Sequence, residues 1–142
     1  MNSKAYEEYN YWLGQNENSN WNEYITEQVA YGILRNFGAM DWQLFNEAIL
    51  SKEEYWQERS AAVLGELRSP EAIKILKKLL ESKFSEVAIA AASELDWTEA
   101  VIEEKYSNNI QEIINNLSDE ENDSHPEIIN LLRKSQGQPS SK

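Results

Sequence analysis

The sequence predicts an all-α fold, a short α-solenoid of stacked antiparallel helix pairs with about eight to nine helices. Apolar residues recur at helical spacing along most of the 142 residues. The segment 55–101 repeats itself at an offset of 28 residues, so that Ala62 aligns with Ala90 and Leu67 with Leu95. A period of about 30 residues with two helical patterns per unit is typical of stacked helix pairs.

The composition indicates one soluble domain. A chain of 142 residues buries roughly 70% of its unfolded surface and needs no metal or disulfide for stability. The absence of Cys suggests a reducing compartment. Since no segment resembles a signal peptide or a membrane span, we expect a cytoplasmic protein. The domain is predicted over residues 1–134, and residues 135–142, rich in Ser, Gln, Gly and Pro, are expected to form a flexible tail.

Aromatic residues are concentrated in the first 25 positions. The spacing of Tyr6, Tyr9 and Leu13 predicts a first helix over about residues 4–13, and the polar residues after it predict a loop. These rings have two interpretations. They either seal the open end of the stack or form a recognition surface, since Tyr and Trp are common in binding hot spots. Sealing is favoured because the terminal units of a solenoid must cover its core.

The next two helices form a divergent first pair. Asn20 with Glu23 predicts where the first of them begins, and Gly38 predicts where it ends. The second helix is predicted over about residues 40–50. Six apolar positions of this pair match the central unit at an offset of 30 residues: Ile33, Leu34, Phe37, Phe45, Ile49 and Leu50.

The central pair has the clearest start signals. Ser51 and Glu54 have the spacing of a capping box, which predicts the start of its first helix. Ser69 predicts the N-cap of its second helix, with Pro70 at the first helical position, where a missing N–H costs no hydrogen bond. Small residues would let neighbouring helices approach closely: Ala61, Ala62 and Gly65. We expect Leu67 and Leu79 in the core. The lysines of the second helix are predicted to face outward: Lys74, Lys77 and Lys78.

A third pair and two further helices complete the prediction. Ser85 is expected to open the first helix of the third pair. Asp96 and Glu99 have capping spacing and predict a second helix that runs to about Tyr106. The next helix follows from an apolar stripe: Ile110, Ile113, Ile114 and Leu117. After an acidic run over residues 119–123, His125 and Pro126 predict the start of a last helix that closes the far end.

The central unit resembles the short HEAT-like repeats of the phycobilisome lyase type. The residues that carry this likeness are Arg59, Ala61, Ala62, Leu64, Gly65, Leu67 and the segments 69–73 and 76–80. The likeness covers one unit well, the next moderately and the preceding pair weakly. It implies that first helices form a convex side and that second helices line a concave surface that binds a partner. The third unit departs from the pattern, because Val87 and Ser93 replace the family's Arg and Gly.

The side chains needed for most catalytic sites are missing. With no Cys and one His, a catalytic triad, a thiol nucleophile and a His-based metal site cannot be assembled. The adjacent carboxylates Glu53–Glu54 and Glu103–Glu104 would point about 100° apart on a helix and are typical of solvated faces. The acidic run before His125 lacks the Gly and the spacing of a calcium loop. We therefore expect no enzymatic activity, no cofactor and no metal.

The net charge of −12, from 13 basic and 25 acidic residues, indicates the kind of partner. Such a field repels nucleic acid and anionic membranes and speeds encounter with a basic protein, although acidity can also serve solubility alone. In size, acidity and aromatic content the chain is similar to small bacterial immunity proteins. That resemblance implies a protein, monomeric when unbound, that neutralises a basic toxin domain such as a nuclease. The alternative is a HEAT-like adaptor or scaffold in a cytoplasmic assembly.

The candidate partner-binding residues lie on the predicted concave side. They are Glu47, Lys74, Lys78, Glu103, Tyr106, Asp119, Glu120, Glu121 and Asp123. The carboxylates would compete for a phosphate-binding cleft by charge mimicry. The two lysines argue against a purely acidic surface and could pair with acidic groups of the partner. They align with Ile102 and Tyr106 at the 28-residue offset, and we expect specificity where the repeats differ.

Overall fold

A computed structural model describes residues 4–14, 26–98, 101–117 and 125–135, and within these ranges it contains helices and no strands. The helices are α1 Lys4–Leu13, α2 Thr26–Arg35, α3 Ala39–Ala48, α4 Glu54–Leu67, α5 Pro70–Leu79, α6 Ser85–Thr98, α7 Ser107–Asn115 and α8 Pro126–Ser135. Short 3-10 turns occupy Ile49–Ser51 and Glu104–Tyr106. The prediction of an all-α fold is confirmed.

Helices α4, α5 and α6 form the centre of the fold. Each packs against the other two, and α2 adds to one side by packing against α4. The core of these helices is fully buried: Val63, Leu64, Ile75, Leu76, Leu79 and Leu95. Gly65 is one reason that α4 and α6 lie so close, because a Cβ at this position would collide with the side chain of Glu94. The predicted close approach at Gly65 is confirmed.

Helix α1 closes one end by packing against α2, α3 and α4. The Tyr9 ring is fully buried, with its centroid 5.0 Å from that of Phe45 and 5.7 Å from that of Trp56. Its hydroxyl donates to Ser60 Oγ at 2.9 Å, and burial raises the pKa of Tyr9. Tyr9 thus belongs to the core, as the sealing interpretation requires, whereas Tyr11 is 66% exposed. Trp21 and Tyr24 lie outside the described residues.

The start of α5 agrees with its predicted signals, and the boundaries of α2 and α4 do not. Ser69 Oγ accepts a hydrogen bond from the Ala72 N–H at 3.2 Å, with Pro70 in the first turn.

Gly38 does not end α2, which stops at Arg35, but is the N-cap of α3. Ser51 does not cap α4, because it is the last residue of the 3-10 turn Ile49–Ser51, which directly follows α3. The residue that precedes α4 is Glu53, without a side-chain cap. The predicted start of the α2 segment at residues 20–23 lies outside the described residues.

The predicted helix from Asp96 to Tyr106 is wrong. Helix α6 continues through Asp96 to Thr98, residues 101–103 are not helical, and Val101 is 83% exposed. The reason is that the Asp96 carboxylate does not cap a new helix. Its Oδ1 accepts hydrogen bonds from Asn130 Nδ2 at 2.9 Å and Lys134 Nζ at 3.1 Å, both on α8.

Helix α8 covers the far end by packing against α6 and α7. Ile128 and Leu131 are fully buried, as expected of a closing helix. Ser135, predicted as the first residue of the tail, is instead the buried last residue of α8. The rest of the predicted tail, residues 136–142, lies outside the described part of the chain. Within the described part, every helix is too short or too polar to span a bilayer.

Candidate functional site

A groove of about 270 Å³ lies between α3 and α5 on the side predicted to bind a partner. Its lining consists of Ala39, Trp42, Gln43, Asn46, Glu71, Lys74 and Ile75. Trp42 and Phe45 are three residues apart on α3 and therefore lie on one side of that helix. The two rings are stacked, with centroids 6.0 Å apart and an interplanar angle of 11°. Phe37 makes an edge contact with the Trp42 ring at 5.0 Å, so one wall of the groove is formed by packed aromatic rings.

The rim of this groove carries charges of both signs. Glu71 and Lys74 are exposed, and within the described part of the chain neither side chain has a hydrogen bond or an ion pair. Glu47 is exposed one turn beyond Gln43, whose Nε2 donates to Glu47 Oε2 at 3.3 Å. Both carboxylates are therefore accessible to a partner.

Lys78 has a structural contact in this region. Its side chain is half-buried, and its Nζ donates to the backbone carbonyl of Asn46 near the end of α3. Carbonyl groups at the C-terminal end of a helix lack partners within the helix and attract positive charge. Lys78 therefore ties α5 to α3, and of the two lysines predicted to meet a partner only Lys74 is exposed.

Lys77 joins α5 to the segment after α6. Its Nζ lies 2.8 Å from Glu103 Oε1, and its side chain is only 13% exposed. The hydrogen bond from Lys77 lowers the pKa of the Glu103 carboxyl. The prediction that all three α5 lysines face outward therefore holds for Lys74 alone. Helix α5 lies between α3 and residues 101–106, with a lysine contact on each side.

The remaining predicted residues are partly described. Tyr106 is half-buried against the core, and Lys105 Nζ lies 5.2 Å from its ring centroid. Glu103 is exposed beside Lys77. The acidic residues of the last group lie outside the described residues: Asp119, Glu120, Glu121 and Asp123. The structure thus brings Lys74 and Lys78 to the contact between α3 and α5, with Glu47 one turn beyond the lining residue Gln43 on α3, and it connects Glu103 to α5 through Lys77.

Six of the seven lining residues were not predicted as site residues: Ala39, Trp42, Gln43, Asn46, Glu71 and Ile75. Helical spacing contained a signal for two of them. Gln43 lies four residues before Glu47, and Glu71 lies three residues before Lys74, so each shares a helix face with a predicted residue. Trp42 and Asn46 gave no comparable signal, because their place in the groove depends on how α5 packs beside α3.

The described residues include no group of three or more His, Asp or Glu side chains that could hold a metal ion. What the groove offers is one aromatic wall, two amides and accessible charges. These groups bind by stacking, hydrogen bonding and charge pairing. No protein-family model, curated protein sequence or solved structure matches the chain.

Proposed function

We propose that the chain is a non-enzymatic protein-binding module, and specifically a cytoplasmic immunity protein that neutralises a basic toxin domain such as a nuclease. The observation that carries this proposal is the accessibility of its charges. The net charge is −12, and several of its 13 cations have internal contacts. Lys78 binds a backbone carbonyl, Lys77 pairs with Glu103, and Lys134 pairs with Asp96. The two ion pairs take one carboxylate for each cation and Lys78 takes none, so the acidic excess remains and attracts a basic surface.

A HEAT-like stack is the architecture that fits this role. In this proposal α2, α4 and α6 form one row, while α3 and α5 form the second row, which faces the partner. The packing of α2 on α4 and of α4 on α6 supports the first row. The second row ends early, because a 3-10 turn at Glu104–Tyr106 stands where a helix was predicted.

Inhibition would follow from competition with phosphate. A nuclease binds the phosphate groups of its substrate through basic side chains, and a surface with Glu47 and Glu71 presents carboxylates to the same side chains. Such charges mainly raise the association rate and suppress wrong partners. Trp42, fixed in the groove wall, belongs to the residue type most enriched in binding hot spots.

Charge reversal in the groove tests this proposal. A toxic domain encoded next to this chain is the partner to measure. We expect the double variant Glu47→Lys, Glu71→Lys to lower the association rate constant about tenfold at low salt, with a smaller effect at high salt. Stopped-flow fluorescence gives this constant, and growth of cells that express the toxin domain shows protection.

The matched control is the double variant Glu66→Lys, Glu112→Lys, which changes the charge equally on exposed residues outside the groove. This variant should retain most of the association rate. Normal growth of cells that lack the protein, in contact with kin that deliver the toxin, would contradict the proposed function.

An adaptor or scaffold is the second candidate. Trp97 is 66% exposed and Val101 is 83% exposed, and neither residue lines the groove. Trp is enriched in binding hot spots, and a scaffold needs a second contact surface. A stable complex with two different proteins at once would favour the scaffold over the immunity protein.

A further inference from the structure

The groove between α3 and α5 combines an aromatic wall, an apolar floor and the carboxylate of Glu71, which has no partner among the described residues. We propose that it accepts one arginine side chain of the basic partner, with the guanidinium stacked on Trp42 and paired with Glu71. This inference rests on the proposed function, because a basic protein supplies the arginine. It names the group that this site recognises.

The aromatic wall suits a guanidinium group. Trp42 is half-buried and lines the groove, while its contacts with Phe45 and Phe37 hold the ring in place. Trp gives the strongest cation–π attraction of the aromatic residues. A guanidinium is planar and weakly hydrated, so it stacks on such a ring better than the compact ammonium of lysine. The site is therefore expected to prefer arginine over lysine.

The size and floor of the groove suit one side chain. A volume of about 270 Å³ lies just below the range of about 300–1,000 Å³ that is typical of drug-sized ligands. The exposed Ala39 provides apolar surface for the methylene stem of an arginine, and the buried Ile75 lies beneath the groove. Gln43 and Asn46 add side-chain oxygens that can accept hydrogen bonds from the five guanidinium N–H groups.

The charges of the rim determine whether the groove prefers a cationic or an anionic ligand. Glu71 has no partner within the described residues and can pair with a cation. Lys74 is three residues later on the same helix, and among the seven lining residues it alone carries a positive charge. Its charge should weaken the binding of arginine and should strengthen the binding of a carboxylate. Changing Lys74 therefore distinguishes the two kinds of ligand.

The test uses the full chain with nitrogen-15 in its five tryptophan indoles, observed by NMR at low ionic strength. The probe is acetyl-arginine amide, with acetyl-citrulline amide as a neutral ligand of the same shape and acetyl-lysine amide as a second cation. The Trp42 indole signal is assigned through Trp42→Phe. We expect this signal to shift saturably at millimolar arginine, to shift less with lysine and to stay in place with citrulline.

Two variants complete the test. Glu71→Gln should weaken arginine binding about two- to fivefold, and Lys74→Glu should strengthen it by a similar factor, as expected for exposed ion pairs. Both side chains are exposed, so circular dichroism should show an unchanged fold. Glu66→Gln, outside the groove, should leave binding unaltered.

Three results would overturn the assignment: an unmoved Trp42 signal, an equal shift with citrulline, or weaker arginine binding after Lys74→Glu. Its failure is distinct from failure of the proposed function. If a basic toxin domain binds the chain and the arginine probe does not, the groove assignment alone is wrong. If the probe binds and no such domain does, the immunity function alone is wrong.

Discussion

The Asp41 carboxylate joins two helix ends that are distant in sequence. It is 5% exposed, and its Oδ1 accepts the backbone N–H of Tyr6 at 3.0 Å. Its Oδ2 accepts the backbone N–H of Gly38 at 2.9 Å. Tyr6 lies in the first turn of α1 and Gly38 precedes α3, so one negative charge satisfies the free N–H groups of two N-terminal helix ends.

Asp41→Ala should lower the free energy of unfolding by about 1–2 kcal/mol, because it removes the acceptor of two part-buried N–H groups, of which the one on the exposed Gly38 can turn to water. Asp41→Asn should cost less, since one oxygen can still accept. Urea denaturation followed by circular dichroism measures both losses. Glu66→Ala is the exposed control and should stay within about 0.5 kcal/mol. A similarly small loss for Asp41→Ala would mean that the two contacts do not stabilise the fold.

Side-chain hydrogen bonds could be predicted from the sequence only where donor and acceptor are a few residues apart in the chain. The Ser69 cap was predicted because donor and acceptor are three residues apart. The contact of Asp41 with Tyr6 spans 35 residues and that of Lys78 with Asn46 spans 32, so both depend on how helices pack. For the same reason the sequence predicted both Lys74 and Lys78 as partner-binding residues. In the structure the Lys74 amine is exposed, whereas the Lys78 amine is bound to the Asn46 carbonyl.

At the scale of elements, α5 and the start of α6 at Ser85 were predicted well, and the end of α6 was not. Ser69 and Pro70 give an unambiguous start for α5, since Pro disfavours a helical residue before it and cannot continue a helix. The aligned turn of the third unit has Asp96 and Trp97, without a proline. Nothing local therefore stops α6, and Asp96 remains in the helix because α8 provides partners for its carboxylate.

The two leucines predicted in the core differ in burial. Their alanine variants should therefore differ in stability. Leu79 on α5 is fully buried, whereas Leu67 at the end of α4 is half-buried. We expect Leu79→Ala to cost about 2–5 kcal/mol, as fully buried leucines do, and Leu67→Ala to cost about 1–2 kcal/mol. Chemical denaturation of both variants measures this difference. Equal losses would contradict the packing of α4 described above.

At the scale of the whole molecule, the net charge of −12 opposes compaction. Raising NaCl to about 0.5 M should therefore increase the melting temperature by a few degrees, because salt screens the repulsion between exposed carboxylates. Screening of the ion pair between Lys77 and the exposed Glu103 carboxylate costs little, since pairs open to solvent contribute less than about 1 kcal/mol. Thermal melts at low and high NaCl provide the measurement. A lower melting temperature at high salt would show that attractive pairs outweigh the repulsion.

The length of α6 has a consequence for cooperativity. The N-terminal helices meet α6 through α4 and α5, and α7 and α8 join the rest of the described chain chiefly through α6. In arrays of helices, joint unfolding depends on the interfaces between neighbours. Because α6 packs against α4 and α5 as well as against α7 and α8, one uninterrupted helix connects both halves. The protein should therefore lose both ends in a single transition, with no stable half-folded form.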